Sequence, residues 1–599
     1  ASAPTSQRWK VTGGGADIDR VRTLLPLPDG SMIVVGSFSS TTATFGTTVF
    51  TRAGAGTYAS AFANDALIAR VNADGTYRWI KQWGGVKPDL ARGIARQSDG
   101  TIIVTGQFGG TVSFDGISRT SAGTSGWWAD LFIAALDPDT GALKWLNTAG
   151  GTGDDYAYQV RTLPDDSIAL VGSGQTTMKF GSFSLPAALG FGDWWVARYN
   201  ADGTFRWARR VGGSTDYDDP FGFDVLADGS VFATGYSGTN AVYGATTLVN
   251  NGTASDMTVL KLNADGDVLW ARRLGGPTDD FGYGITALPG GDVVVAGYVK
   301  GLVTLPDGTS LPATGGGDKD AFWARFDGSG NLVWARRAAG TGEDYLLTIS
   351  ARADGRLIAT GAFSGTTTFG TTTLTSSGGT DMVLLSIGAA DGSIEWAHRS
   401  GGTGNDVSRT SGTLGDGTIL IAGNLGQTAY GAMNEDAVLQ SWLTVPDALP
   451  EPVVTRSSDG TSASVAITPL AGDAITRYVV SSSATTATCD IVPPATTCTL
   501  TGLQPTTAYT FDVTASNAVG SAERESAPVA PVEPGATTAD APGSTIAESG
   551  APGVAPAAGA IARIKLRGRY SLHAFVHVTT GSIPDGVTSI TQTVTLLRS

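Results

Sequence analysis

The chain is 599 residues long, carries a formal net charge of −15, and only 16% of its residues are charged. That length accommodates three or more domains, and the acidic balance argues against nucleic-acid binding, which needs a basic face to neutralise phosphates. No apolar run reaches the ~18 residues that a membrane-spanning helix requires, so no membrane span is expected.

The chain opens with Ala1-Ser2-Ala3-Pro4-Thr5-Ser6 rather than methionine. This reads as a mature terminus left by removal of an export signal, so a secreted or cell-surface location is expected. A unit of about 64 residues then recurs seven times. Its anchor is a tryptophan at Trp9, Trp79, Trp145, Trp207, Trp270, Trp334 and Trp396. An aspartate follows ten residues later (eleven in the fourth copy): Asp19, Asp89, Asp155, Asp218, Asp280, Asp344 and Asp406. A glycine follows at 27 residues (28 in the fourth), as at Gly36, Gly106 and Gly423. A second aspartate opens another segment in each copy: Asp65, Asp130, Asp193, Asp256, Asp320, Asp381 and Asp436. Fixed periods of this kind mark solenoids, propellers or arrays.

Each copy reads as four short β segments, which in the fifth copy are Val268–Arg273, Gly282–Ala287, Asp292–Tyr298 and Ala321–Phe326. Turn formers such as Asn263-Ala264-Asp265-Gly266 stand between them. The third segment is an unbroken apolar run, as in Asp292-Val293-Val294-Val295-Ala296, and fits a strand buried on both faces. Nothing shows a convincing helical period. Four strands in each of seven copies predict an all-β, seven-bladed β-propeller over residues 1–445. A β-solenoid is the competing reading, but solenoid coils are usually much shorter. The tryptophan strand at Gln7–Val11 is predicted to complete the seventh blade beside Asp436–Trp442, closing an otherwise open edge.

The recurring run Asp-(apolar)-Ala-Arg-x-Asn-Ala-Asp-Gly-x-x-x-Trp-Ala-Arg-Arg-x-Gly-Gly, as in Asp193–Gly213, resembles the secreted bacterial β-propeller repeat family. The resemblance covers roughly residues 5–443 and implies architecture rather than activity, because propellers host many unrelated functions.

Composition shifts at Val445-Pro446-Asp447, after which strands recur every ten or so residues. Leu503-Gln504-Pro505-Thr506-Thr507-Ala508-Tyr509-Thr510-Phe511 and its continuation to Gly520 resemble the fibronectin type III family over residues 446–531. The resemblance implies that Tyr509 forms a corner tying a loop to the sheet. The usual early core tryptophan is missing; Val465 and Ile467 occupy that strand. Cys489 and Cys498, the only cysteines, suit a local disulfide formed in an oxidising compartment, with a pair of buried free thiols as the alternative.

Residues 532–558 form a Pro/Ala/Gly-rich linker. The last segment, 559–599, alternates apolar residues with Arg563, Lys565, Arg567 and Arg569. So small a β element must pack on something. Either it extends a sheet of its own chain, or it adds a strand to a protein partner or to a second copy in self-assembly.

Three features are candidates for chemistry. The aspartates, with Asp155, Asp218, Asp280 and Asp344 foremost, would hold calcium if they converged on one cation; otherwise they cap turns by accepting backbone N–H bonds. The connections between the recurring glycine and the second aspartate vary most in length, and variable loops on a rigid scaffold commonly carry binding. Two of them end in tryptophan pairs, Trp127-Trp128 and Trp194-Trp195. Exposed, these pairs would stack on glycans or anchor a protein partner; buried, they would be blade core. Catalysis has little support, with only His398, His573 and His577 in the chain and no nucleophile elbow, zinc-protease or phosphate-loop motif. Two suitably spaced carboxylates would suffice for glycoside hydrolysis. The expectation is therefore a non-enzymatic extracellular scaffold or adhesion protein without an obligate cofactor, with a carbohydrate-binding or carbohydrate-active propeller as the alternative.

Overall fold

The computed structural model describes residues 4, 6–53, 64–123, 129–214, 216–250, 252, 254–312, 319–338, 340–352, 354–426, 435–443, 449–470, 475–483, 485–517 and 521–532. All regular elements among them are β-strands. Seven antiparallel four-stranded blades make up the N-terminal part, the first formed by Asp19–Pro26, Met32–Phe38, Asp65–Val71 and Tyr77–Trp83 in that order. The first strands of successive blades contact one another in a closed ring, the last (Val407–Thr413) meeting the first (Asp19–Pro26). Second strands such as Met32–Phe38, Ile102–Gly109, Ile168–Gly174 and Val293–Val299 are buried at every position, as their unbroken apolar runs require.

The sequence repeat is offset from the blade by one strand. Each tryptophan strand is the outermost strand of the blade before the one its repeat goes on to build. Closure follows from this offset. Ser6–Gly15 supplies the outermost strand of the seventh blade, pairing with Glu435–Leu443 so that Val11 lies opposite Leu439 and Thr12 opposite Val438. A propeller shut in this way does not leave Glu435–Leu443 as an open edge.

No single core fills the ring. Seven apolar clusters lie between the blades, one at each junction including that of the last blade with the first. The anchor tryptophans hold the junctions in register. Trp79 Nε1 donates to the carbonyl of Pro138 in the next blade (3.0 Å), and Trp270 Nε1 to that of Gly328 (3.2 Å). The glycine of each Asn-Ala-Asp-Gly type turn lies against the indole of the preceding blade. A Cβ on Gly266 (φ 84°) would sit 2.7 Å from the Trp207 ring, so both the left-handed backbone and the close approach require glycine there.

The second β domain packs a three-stranded sheet (Val453–Arg456, Ser462–Ala466, Thr497–Thr501) against a four-stranded one (Thr488–Ile491, Arg477–Ser482, Phe511–Ser516, Ser521–Glu525). Tyr509 forms the corner: its hydroxyl accepts the Gln504 N–H at 2.9 Å. Val465, Tyr478 and Phe511 fill the core where the resemblance led one to look for a tryptophan. A Cys489–Cys498 disulfide joins a strand of one sheet to a strand of the other. The chain divides into compact units Ala1–Pro534 and Gly535–Ser599. The linker and the tail with Arg563, Lys565, Arg567 and Arg569 lie outside the described residues.

Deleting residues 1–15 is expected to lower the propeller melting temperature and promote aggregation, because it bares the edge of Glu435–Leu443; a thermal melt followed by light scattering checks this. Replacing both cysteines by serine is expected to cost the second domain about 2–3 kcal/mol, the loop-closure entropy of a ring of this size, read from urea unfolding with and without reductant.

Candidate functional site

The recurring aspartates are placed identically in blade after blade. Each first-ring aspartate heads an innermost strand and reaches back four residues. Asp280 Oδ2 accepts the Gly276 N–H (2.7 Å) while its Oδ1 accepts that of Lys300 (2.6 Å). Asp218 does the same with Ser214 (2.5 Å) and Gly238 (2.7 Å), and Asp19 with Gly15 (2.6 Å) and Ser39 (3.0 Å). Asp155 takes the Gly151 N–H at 2.5 Å, and Asp344 the Thr367 hydroxyl at 2.8 Å. One carboxylate thus ties the end of the preceding blade to the end of the second strand of its own.

The second-ring aspartates tie the hairpins and the outermost strands. Asp65, Asp130, Asp193 and Asp381 accept N–H bonds from Ala53, Ala122, Leu189 and Ser377. Arg273 meets Asp256 at 2.5 Å, Arg399 meets Asp381 at 2.6 Å, and Arg337 forms the same contact with Asp320. These arginines lie three residues after the anchor tryptophan, which accounts for the basic pair of the repeat.

First- and second-ring aspartates also meet in pairs. A Cβ on Gly275 would lie 2.2 Å from Asp256 Oδ1 and 2.9 Å from Asp280 Oδ2, and Gly14 and Gly401 stand in the same way between Asp436 and Asp19 and between Asp381 and Asp406. Burial is the main cause that pushes these carboxyls up, to about 8 at Asp155, about 7 at Asp218, Asp280 and Asp344, and about 6 at Asp19, Asp65 and Asp130. The partner's charge adds to it at Asp155, Asp218, Asp280 and Asp344. The four aspartates singled out as calcium ligands therefore stand in four different blades; Asp218 and Asp280 spend both oxygens on backbone donors, whereas Asp155 and Asp344 each keep one buried oxygen without a hydrogen-bond partner. Among the described residues no three metal-ligating side chains converge.

The tryptophan pairs divide. Trp127 and Trp128 lie outside the described residues. Trp194 and Trp195 are fully buried, which overturns their reading as exposed ligand contacts. They occupy a third strand, Asp193–Tyr199, that is covered on both faces, and their rings point into opposite inter-blade clusters, Trp195 against Phe180 and Trp194 against Tyr243. The variable connections are likewise less free than expected. Those of blades one to six fold into β-hairpins or strand extensions that pair with the outermost strand of the preceding blade, as at Gly13 with Phe45, Gly84 with Ser113 and Gly275 with Thr304.

Beside the buried pair is an aromatic contact that does face solvent. Phe191 and Tyr217 stack with ring centroids 5.2 Å apart and planes 19° apart; Phe191 is 61% exposed, Tyr217 53%, and neighbouring Leu189 72%. A backbone bridge between Gly192 and Tyr217 pins the patch across the junction of blades three and four.

A second concave feature was not anticipated. The innermost strands surround a cavity of about 560 Å³ lined by five arginines and no carboxylate. The third residue after each first-ring aspartate points into it. Across blades seven, one and two these residues are Arg409, Arg22 and Arg92; across blades three, four and five they are Tyr158, Phe221 and Tyr283, and in blade six Leu347. Phe221 and Tyr283 stack at 4.8 Å, and the Arg92 guanidinium lies 4.8 Å from the Tyr158 ring centroid. Arg92 Nε donates to Gln107 (2.9 Å) and Arg409 Nε to Asn424 (2.6 Å), whereas the buried Arg22 Nε finds no acceptor. Of the five, Arg161 is paired with Asp224 (3.4 Å), and Glu435 is held bidentate by Arg20 at 2.5 and 2.8 Å.

Residues 448–532 match the fibronectin type III domain family. The chain is 22% identical over 369 residues to an uncharacterized WD repeat-containing protein of Acanthamoeba polyphaga mimivirus, covering 51% of this chain and 26% of that protein. It is 29% identical over 251 residues to the regulatory protein FlaEY of Caulobacter vibrioides, covering 40% and 25% respectively. The chain thus spans about a quarter of the length of these curated relatives. Among solved structures it is similar to the quinohemoprotein alcohol dehydrogenase of Comamonas testosteroni, with 9% identity, a TM-score of 0.36, and coverage of 76% of this chain and 81% of that one.

The carboxyl pairs make stability depend on pH. A group whose pKa is higher folded than unfolded binds its proton more tightly in the folded state, so its contribution is full below pH ~4 and is lost as pH rises through the folded value. For these aspartates that window runs from about 4 to about 8. His398, lowered by burial, opposes them below its ordinary range. The urea midpoint of the propeller is expected to be higher at pH 5 than at pH 8, with Asp155→Asn flattening the upper part of the profile.

Proposed function

We propose that this chain is an exported, non-enzymatic scaffold or adhesion protein of the cell surface or extracellular space. In this reading the propeller is the interaction platform, the fibronectin type III domain a spacer module, and residues 559–599 the attachment or assembly element. The observation that carries the proposal is the exposed stack of Phe191 and Tyr217 beside Leu189. Aromatic side chains are enriched where partners anchor, and this group is held on a backbone stapled by Asp193 and Asp218. Little reordering on binding is then required. The Cys489–Cys498 disulfide supports an oxidising location.

The same stack favours a second reading, because a planar aromatic surface also accepts the apolar face of a sugar ring. The full chain tested on a glycan array and against immobilised extracellular proteins separates the two. The Phe191→Ala/Tyr217→Ala variant is expected to lose at least tenfold in affinity for whichever partner binds, while its melting temperature stays within a degree or two. Retained affinity in that variant would remove the stack from the interaction. Light scattering on the full chain and on a version ending at Ala558 reads the tail: oligomers only with the tail present identify it as the assembly strand.

A further inference from the structure

The central cavity has an electrostatic composition opposite to that of the protein. Five arginines and no carboxylate line it, in a chain of net charge −15. An isolated guanidinium lining a channel would need no comment, since water would solvate it. Here three stand on adjacent blades at one level of the ring, and the two closest to being satisfied, Arg92 and Arg409, use only one Nε–H each on neutral amide oxygens. Arg22, between them, leaves its buried Nε without an acceptor. Burial, and then the charges of Arg409, Arg92 and Arg20, push Arg22 well below the ordinary range of its type, and Arg409 is lowered by burial and Arg20. Charge compensation on this side is only partial: Glu435, the one carboxylate acting on both Arg22 and Arg409, is bonded to Arg20. Buried charges of one sign are costly unless a counter-charge is provided.

The facing wall is of another kind. Tyr158, Phe221 and Tyr283 form a continuous aromatic surface, Tyr158 meeting Phe221 edge-on at 5.5 Å and Phe221 lying parallel to Tyr283. The first-ring aspartates fix the strands that carry both walls, so the two halves are held apart rather than free to collapse on each other. A volume of about 560 Å³ lies within the ordinary size range of small-molecule sites.

We infer that the central cavity is a binding site for a small organic anion, a carboxylate or phosphate attached to an aromatic or similarly flat apolar group, with the acid seated between Arg22, Arg92 and Arg409 and the flat group against Phe221 and Tyr283. Guanidinium forks match both oxyanions bidentately, and the aromatic wall supplies dispersion and area burial. This inference goes beyond the scaffold reading and stands independently of it, since the Phe191–Tyr217 patch contributes nothing to the cavity.

The test is calorimetric titration and thermal melting of the full chain with inorganic phosphate, benzoate and phenyl phosphate, at ionic strength matched with sodium chloride. Phenyl phosphate is expected to bind at least tenfold tighter than inorganic phosphate and to raise the melting temperature in a saturable way. Arg22→Met is expected to weaken phenyl phosphate tenfold or more, while the free protein melts no lower than wild type because a like-charge contact has been removed. Arg409→Gln provides the same reading should the first variant fold poorly. Phe221→Leu is expected to weaken phenyl phosphate and leave inorganic phosphate unchanged. Three results overturn the proposal: no titratable effect of any of the three anions on wild type; an equal stabilisation of wild type and both arginine variants, which is the signature of salt exclusion from the surface; or a free Arg22→Met protein that melts well below wild type with anion affinity intact. Equal affinity for inorganic and phenyl phosphate would overturn the aromatic half.

Discussion

A single buried carboxylate at the head of each innermost strand holds the ring together. A β-blade is stable along its hydrogen-bonded direction, but neighbouring blades meet largely through apolar side chains, and apolar contact is non-directional. The first-ring aspartate adds direction at that junction. In five of the seven copies its two oxygens take N–H groups from the end of the preceding blade and from the end of the second strand of its own, as Asp280 does with Gly276 and Lys300. These donors would otherwise be orphaned at the ends of strands, where an unmet buried N–H costs as much as a lost hydrogen bond. The cost of burying the acid appears as its raised proton affinity, and it is held down by the donors it satisfies.

Much of the repeat follows from that one constraint. Two acids from adjacent blades converge where the chain leaves the outermost strand, and a glycine after the basic pair stands close between them, as at Gly275 and Gly401. The second acid must be balanced, and the arginine three residues after the tryptophan does this in the third copy's continuation and beyond: Arg210 interacts with Asp193, and Arg273, Arg337 and Arg399 bond their aspartates. The first two repeats manage differently, Gln82 donating to Asp65 in place of an arginine. Tryptophan, turn glycine, aspartate and arginine are therefore parts of one inter-blade joint rather than four separate signatures.

The residues of the joint were legible in the sequence because they are repeated, although as turn caps or calcium ligands rather than as one inter-blade joint; identical residues at fixed intervals reveal themselves without an alignment. The all-β class, the four strands of each copy and closure through the N-terminal strand could be read for the same reason, and the Tyr509 corner from the fibronectin type III resemblance. Trp194 and Trp195 were misleading because a strand buried on both faces has no polar alternation to say which way a side chain points, and two consecutive tryptophans face opposite clusters without either being exposed. The variable connections looked like free loops because their length varies, although in blades one to six their described backbones pair with the preceding blade. The cavity was invisible for the opposite reason. Its residues occupy one slot, three after the aspartate, and carry a different side chain in nearly every copy. Arg22, Arg92, Tyr158, Phe221, Tyr283 and Arg409 become a group only once the slots are superposed around an axis.

That contrast separates what the fold requires from what the fold leaves open. The slots at the blade joints keep the same side chains in almost every copy, whereas the slot facing the axis does not, and its variation is ordered: three arginines in consecutive blades, then three aromatics, with Leu347 between the aromatics and the arginines. Random drift at a position relieved of packing would mix polar and apolar residues around the ring, and it would not concentrate like charges where their mutual repulsion is least screened. Nor does the acidic exterior argue against an anion inside. Charges beyond about 8 Å are largely screened at physiological ionic strength, so the distributed negative charge slows the approach of an anion more than it weakens the bound state. Affinity is then set by the nearest groups, and within the cavity those are guanidiniums and aromatic rings, on strands held in place by acids such as Asp218 and Asp280 that bond the backbone with both oxygens.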